Sequence, residues 1–144
     1  MSKKTILLVE DNPDDVELTK IALKKEEVDC ELTVMSDGTE VIDHLLTTDK
    51  QAQNIPDVIL LDLKLIKMGG LELLTHLRRD DRTKLIPVVI LSSSDEEIDI
   101  TESYKLGANS YIRKPVNFEE FCETIRTLGK YWLRLNRQVL KPTG

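Results

Sequence analysis

Three stretches of this chain, Ile6-Leu7-Leu8-Val9, Val58-Ile59-Leu60-Leu61 and Val88-Val89-Ile90-Leu91, are apolar at every position. A strand with one wet face alternates apolar and polar residues, so an unbroken apolar run predicts a strand covered on both faces, as in a parallel sheet. Two weaker segments, Glu31 to Met35 and Ser110 to Arg113, bring the expected strands to five. Each strand is followed by a segment with helical periodicity and polar punctuation. Alternation of this kind predicts an α/β domain, (βα) repeated five times, with a doubly wound five-stranded parallel sheet and right-handed crossovers.

Polar residues mark the expected helix ends. Asp11 or Asn12 ahead of Pro13, Asp37 with Glu40, Ser94 with Glu97, and Asn117 with Glu120 have the form of N-caps or capping boxes, and Gly107 has the form of a helix stop. From Phe118 the apolar residues Phe121, Cys122, Ile125, Leu128, Trp132 and Leu135 recur at intervals of three and four, which predicts an amphipathic last helix packed on the sheet and running on through Tyr131-Trp132-Leu133-Arg134-Leu135. The polar stretch Thr47 to Pro56 reads as a surface loop. There are no repeats or linkers.

At 144 residues the chain fits a single domain, here residues 1–129, with residues 130–144 as an extension of the last helix and a tail. No segment approaches the roughly 20 apolar residues of a membrane span, and the apolar run Ile6 to Val9 is too short for a secretory core, so a cytoplasmic protein is expected. Cys30 and Cys122 are far apart and without metal-type spacing, which predicts free thiols in a reducing compartment. A net charge of −6 disfavours direct binding to DNA. His44 and His76 lie inside helical patterns with no second ligand nearby in sequence and read as structural or exposed.

Ligands of a doubly wound sheet lie beyond the carboxyl ends of its strands. There the apolar runs end with Glu10-Asp11, with Asp62 and with Ser92, and the fifth strand ends with Lys114-Pro115. Carboxylates gathered in one shallow site repel one another, and a hard divalent cation such as Mg²⁺ relieves the repulsion and also coordinates phosphate, with Asp11 and Asp62 as direct ligands. With the Lys114 ammonium drawing off further charge, an anionic phosphoryl group can approach the Asp62 carboxylate, which then acts as nucleophile and forms an acyl phosphate, while the Ser92 hydroxyl bonds a phosphoryl oxygen. Taken singly, Asp11 reads equally as a cap before Pro13, Ser92 as a structural hydroxyl and Lys114 as a solvated lysine. Their joint placement raises all of them above these bland readings, and Asp62 stands apart because a lone carboxylate at the end of a buried strand is costly.

Leu8-Val9-Glu10-Asp11-Asn12, Ile59-Leu60-Leu61-Asp62-Leu63, Val89-Ile90-Leu91-Ser92-Ser93 and Tyr111-Ile112-Arg113-Lys114-Pro115 resemble, in order and spacing, the receiver domain of response regulators, over about residues 4 to 129. The resemblance implies the flavodoxin-like strand order 2-1-3-4-5. It also implies a two-component phosphorelay in which Asp62 takes phosphate from a sensor histidine kinase, with Glu10, Asp11, Asp62 and the backbone carbonyl of Lys64 holding Mg²⁺. Ser92 and Tyr111 are then the switch residues that alter the partner-binding surface, and Lys114-Pro115 is expected to be cis. A histidine phosphotransfer protein or another downstream protein is the implied reader. The chain departs from the family after the phosphoacceptor, with Leu65-Ile66 and Gly69-Gly70 where many members have Met-Pro and Asp-Gly, which predicts a looser loop. Lys64 and Ser94 stand at positions that tune acyl-phosphate lifetime in relatives.

The extended last helix predicts an apolar patch for homodimerisation or partner docking, and it resembles the tail of stand-alone receivers paired with phytochrome-like kinases. Three rival readings remain. A pseudo-receiver scaffold would have lost a site residue. An aspartate-nucleophile phosphatase needs a second aspartate where Lys64 stands. A flavodoxin-like carrier would not place Glu10-Asp11 against a cofactor phosphate.

Overall fold

A computed structural model describes residues 3–46 and 55–139. Five strands, β1 (Thr5–Val9), β2 (Glu31–Met35), β3 (Val58–Leu61), β4 (Val88–Ser92) and β5 (Ser110–Arg113), alternate with five helices, α1 (Pro13–Lys25), α2 (Gly38–Leu46), α3 (Gly70–Arg79), α4 (Glu97–Lys105) and α5 (Phe118–Gly129). The sheet is wholly parallel in the order β2-β1-β3-β4-β5. All residues of β3 and β4 are buried, as their unbroken apolar runs require.

Strand alternation splits the core in two. Leu7, Val9, Ile59, Leu61, Val88 and Ile90 face α2 and α3, packing with Val41, Leu45, Leu73, Leu74 and Leu77. Ile6, Leu8, Val58, Leu60, Val89 and Leu91 face the other way, with Ala22 and Leu23 of α1 and Phe121, Cys122 and Ile125 of α5. No described helix is long and apolar enough to cross a membrane.

Asn12 caps α1 by accepting from the amides of Asp14 and Asp15, and Asn117 caps α5 by accepting from Glu120. Gly107 (φ 104) closes α4, with its amide bonded to the Tyr104 carbonyl and that of Ala108 to Ser103, a left-handed stop natural to glycine. Three expectations need correction. Ser94 does not cap α4: the N-cap is Glu96, and the Ser94 hydroxyl instead accepts from the Glu96 amide and donates to Asp99. The last helix does not keep its pitch either. It widens into a π-helical turn over Lys130–Leu135, and the added residue per turn buries Leu133 (6% exposed) while leaving Leu135 at 59%. Lys114-Pro115 is trans, the isomer that X-Pro bonds favour by about 0.5–1 kcal/mol. Most of the Thr47 to Pro56 stretch lies outside the described residues; Ile55 and Pro56 are buried.

Arg78 was not singled out by sequence, yet it ties together the end of the domain opposite the strand carboxyl termini. Its guanidinium donates to the carbonyls of Ile86 (2.8 Å), Gly107 (2.9 Å) and Lys84 (3.0 Å) and to Asn109 Oδ1 (2.9 Å), which also accepts from the Val88 amide. Burial pulls its pKa below the ordinary arginine value. Arg78→Ala strips several carbonyls of their donor, so urea unfolding should show a loss of about 2–4 kcal/mol. Arg78→Lys should recover little of it, because an ammonium cannot span the same fork.

Candidate functional site

The parallel register assembles the site. Val9 pairs with Leu61 between β1 and β3, and the Asp62 amide donates to the Val9 carbonyl at 3.1 Å, so Glu10 and Asp62 are the next residues along neighbouring strands. Ser92 pairs with Arg113 between β4 and β5, and the Lys114 amide donates to the Ser92 carbonyl at 2.7 Å. By alternation Glu10, Asp62 and Lys114 share the parity of Leu8, Leu60 and Ile112 and turn toward the α1 side of the sheet.

There the Lys114 ammonium meets three carboxylates: Glu10 Oε1 at 2.6 Å, Asp15 Oδ2 at 2.8 Å and Asp62 Oδ2 at 3.1 Å. Burial pulls the lysine pKa down, but the hydrogen bonds of Asp15 and Glu10 and the charge of Asp62 outweigh it and hold the ammonium above its ordinary value. Glu10, only 3% exposed, is pushed up to about 7, chiefly by burial, with the Lys114 hydrogen bond opposing and the Asp62 charge adding to the rise.

Because the folded value of Glu10 lies above its ordinary 4.5, ionising it costs the folded state more than the unfolded chain. The corresponding stability is present below pH 4.5 and is lost as pH rises through about 7. The metal-free protein should therefore melt a few degrees lower at about pH 8 than at about pH 5, and Glu10→Gln should flatten that part of the profile in calorimetry.

The other sequence candidates lie around this cluster. Asp11 is turned to the β3–α3 loop, where its Oδ2 accepts from the Ile66 amide at 2.9 Å. The Lys64 amide donates to Asp62 Oδ1 at 3.1 Å. Ser92 is fully buried, and its hydroxyl accepts from the Ser94 amide at 3.2 Å. The Tyr111 hydroxyl donates to the Ser94 carbonyl at 2.8 Å, and the Tyr111 amide donates to the Tyr104 hydroxyl at 3.1 Å. Ser94 thus touches both Ser92 and Tyr111 through its own main chain. The loop expected to be loose is anchored by the Asp11 bond and by the Gly70 amide on the Leu63 carbonyl.

Among the described residues no three metal-binding side chains form a ready-made cluster. The donor set nevertheless suits a hard cation. Three carboxylates share one ammonium, and the most buried of them holds its proton up to about neutral pH, so the site is short of positive charge. Sequence reasoning missed Asp15, because an acid at the third position of a helix capped by Asn12 reads as a capping or dipole residue.

A family model for the response regulator receiver domain matches residues 6–126. The probable methanogenesis regulatory protein FilR2 of Methanothrix harundinacea is 35% identical over 132 residues, covering 92% of this chain and 85% of that protein. Response regulator Rcp1 of Synechocystis is 35% identical over 131 residues, covering 90% and 89%, and the structure of its Mn(2+)-bound form superposes with a TM-score of 0.83 at 34% identity, covering 94% and 99%. The structure of the phosphorylated cyanobacterial phytochrome response regulator RcpA matches with a TM-score of 0.86 at 38% identity, covering 95% of this chain and 99% of that one. Its sheet order, strand-end carboxylates and lysine agree with these matches: the chain belongs to the response regulator receiver-domain family and is a signalling domain homologous to phosphorylatable regulators.

Proposed function

We propose that Asp62 is the phosphoacceptor. The observation that carries this reading is its placement: a carboxylate 8% exposed at the end of the central strand β3, with a lysine ammonium 3.1 Å from one oxygen and a main-chain amide on the other. An Asp62 oxygen attacks the phosphorus of a phosphohistidine on a sensor histidine kinase; a P–O bond forms, the P–N bond breaks, and the imidazole nitrogen takes the electron pair and then a proton. Glu10, Asp11, Asp62 and the Lys64 carbonyl are the residues that would hold Mg²⁺, which when bound screens the negative charge of the incoming phosphoryl group. Lys114 and the Ser92 hydroxyl bond its oxygens. The domain assists only its own phosphorylation and dephosphorylation and is no enzyme toward other substrates.

When Ser92 Oγ turns to the phosphoryl group it gives up the Ser94 amide, and the Tyr111 hydroxyl sits on the carbonyl of that same residue. The shift therefore passes to the α4–β5 surface as a two-state change. A phytochrome-like kinase is the proposed donor, by similarity to the phytochrome response regulator RcpA. A histidine phosphotransfer protein or other downstream protein is the proposed reader, in the cytoplasm and without direct contact to DNA. Tyr131, Leu135 and Val139, about half exposed along the tail, are the proposed homodimer or docking patch. Intact mass after incubation with Mg²⁺ and acetyl phosphate tests the central step. The protein should gain one phosphoryl group, with none in Asp62→Asn and none after chelation; an unmodified wild type would favour the pseudo-receiver scaffold, and an equally modified mutant would place the phosphoryl group on a residue other than Asp62.

A further inference from the structure

An ammonium has three N–H groups, and all three of Lys114's are engaged, one each by Glu10, Asp15 and Asp62. A phosphoryl oxygen can therefore bond Lys114 only if a carboxylate lets go. The three differ in where they can turn. In the metal-free domain the Glu10 side chain, 3% exposed, has no solvent to replace the lysine, and that of Asp62, at 10%, becomes part of the acyl phosphate. The Asp15 side chain is 32% exposed, sits in the first turn of α1 and can exchange the lysine for solvent.

We propose that Asp15 is a positioning residue that holds one N–H of Lys114 in the resting domain and releases it to the phosphoryl group, so that it restrains phosphorylation. The inference rests on the reading of Asp62 as phosphoacceptor. Asp15 also adds a negative charge within hydrogen-bond reach of the ammonium that the incoming anion needs, so its presence opposes the approach of any phosphodonor. With acetyl phosphate the step is attack of an Asp62 oxygen on phosphorus, with the P–O bond to acetate breaking and acetate leaving with the electron pair. Asp15 takes no part in the covalent change and acts only through Lys114.

Two measurements on the full chain test this. In metal-free protein, limiting acetic anhydride should label Lys114 at least about threefold more in Asp15→Asn than in wild type, with the other lysines as internal reference. In saturating Mg²⁺, Asp15→Asn should gain phosphoryl from acetyl phosphate at least about threefold faster, with the gap narrowing at high salt and Asp15→Glu returning to the wild-type rate. Unchanged Lys114 labelling, or an Asp15→Asn rate equal to or below wild type, overturns the proposal. If neither protein is phosphorylated the phosphoacceptor reading falls instead, and the labelling still decides whether Asp15 holds the lysine.

Discussion

Lys114→Met should destabilise the metal-free domain strongly at pH near 8. The substitution keeps the length of the side chain and removes the only cation in contact with Glu10, Asp15 and Asp62 among the described residues. Breaking a buried ion pair by deleting one partner costs about 3–5 kcal/mol, because it leaves charge buried without compensation. Here the half-open Asp15 side chain can turn to water, so about 2–4 kcal/mol is expected from urea unfolding at pH near 8. The loss should shrink as pH falls below about 7, where Glu10 takes up its proton even in the wild type. Added Mg²⁺ should raise the melting temperature of the mutant more than that of the wild type, since a divalent cation supplies the charge that the lysine no longer does. A mutant as stable as wild type across pH and insensitive to Mg²⁺ would show that the three carboxylates do not depend on the lysine.

Gly70→Ala should disable the site through the backbone. A Cβ on Gly70 would stand 2.6 Å from the Asp62 carbonyl oxygen and 2.8 Å from Leu63 Cα, and both neighbours are main chain that cannot swing aside. The β3–α3 loop must then shift, at about 1–3 kcal/mol, and it carries the Asp62 carboxylate with it. A displacement of about 1 Å in a reacting group costs on the order of a hundredfold in rate, so phosphorylation by acetyl phosphate should fall by about tenfold or more. Gly69→Ala is the matched control. Its Cβ would meet only the Leu63 carbonyl at 3.9 Å, and its φ of −63° suits alanine, so rate and stability should stay near wild type. Equal behaviour of the two mutants would mean that close packing at Gly70 does not position Asp62.

These residues also mark how far the sequence could be read. The fold was legible because β1, β3 and β4 each carry an unbroken apolar run, Ile6 to Val9, Val58 to Leu61 and Val88 to Leu91, a pattern that a parallel sheet requires and a half-wet strand does not show. Glu10, Asp62 and Ser92 were legible because each directly follows such a run, and Lys114 because it follows the weaker fifth strand, so strand register brings the four to one end of the sheet. What escaped depends on contacts remote in sequence. Asp15 reads as a helix-start acid until the fold brings Lys114, just past β5, to the first turn of α1, and Gly70 reads as one of a pair of loop glycines until the Asp62 carbonyl is found against it. Arg78 falls in an ordinary basic helix end, and only the fold brings the carbonyls of Ile86 and Gly107 to its guanidinium. Ser94 carried a valid capping signal that lost to a longer turn ending at Glu96. The widening at Lys130–Leu135 has no local marker. It moves burial from Leu135 to Leu133, the kind of phase change that periodicity cannot anticipate.

Signalling by this domain depends on a single bond, the acyl phosphate at Asp62, and chemical mapping of that bond tests the phosphoacceptor role most directly. After incubation with Mg²⁺ and acetyl phosphate, borohydride reduces an aspartyl phosphate to homoserine, and peptide sequencing by mass spectrometry locates the converted residue. Homoserine at position 62 and at no other aspartate is the predicted result. Conversion at Asp11 or Asp15, or a phosphoryl group that survives borohydride on another side chain, would contradict it.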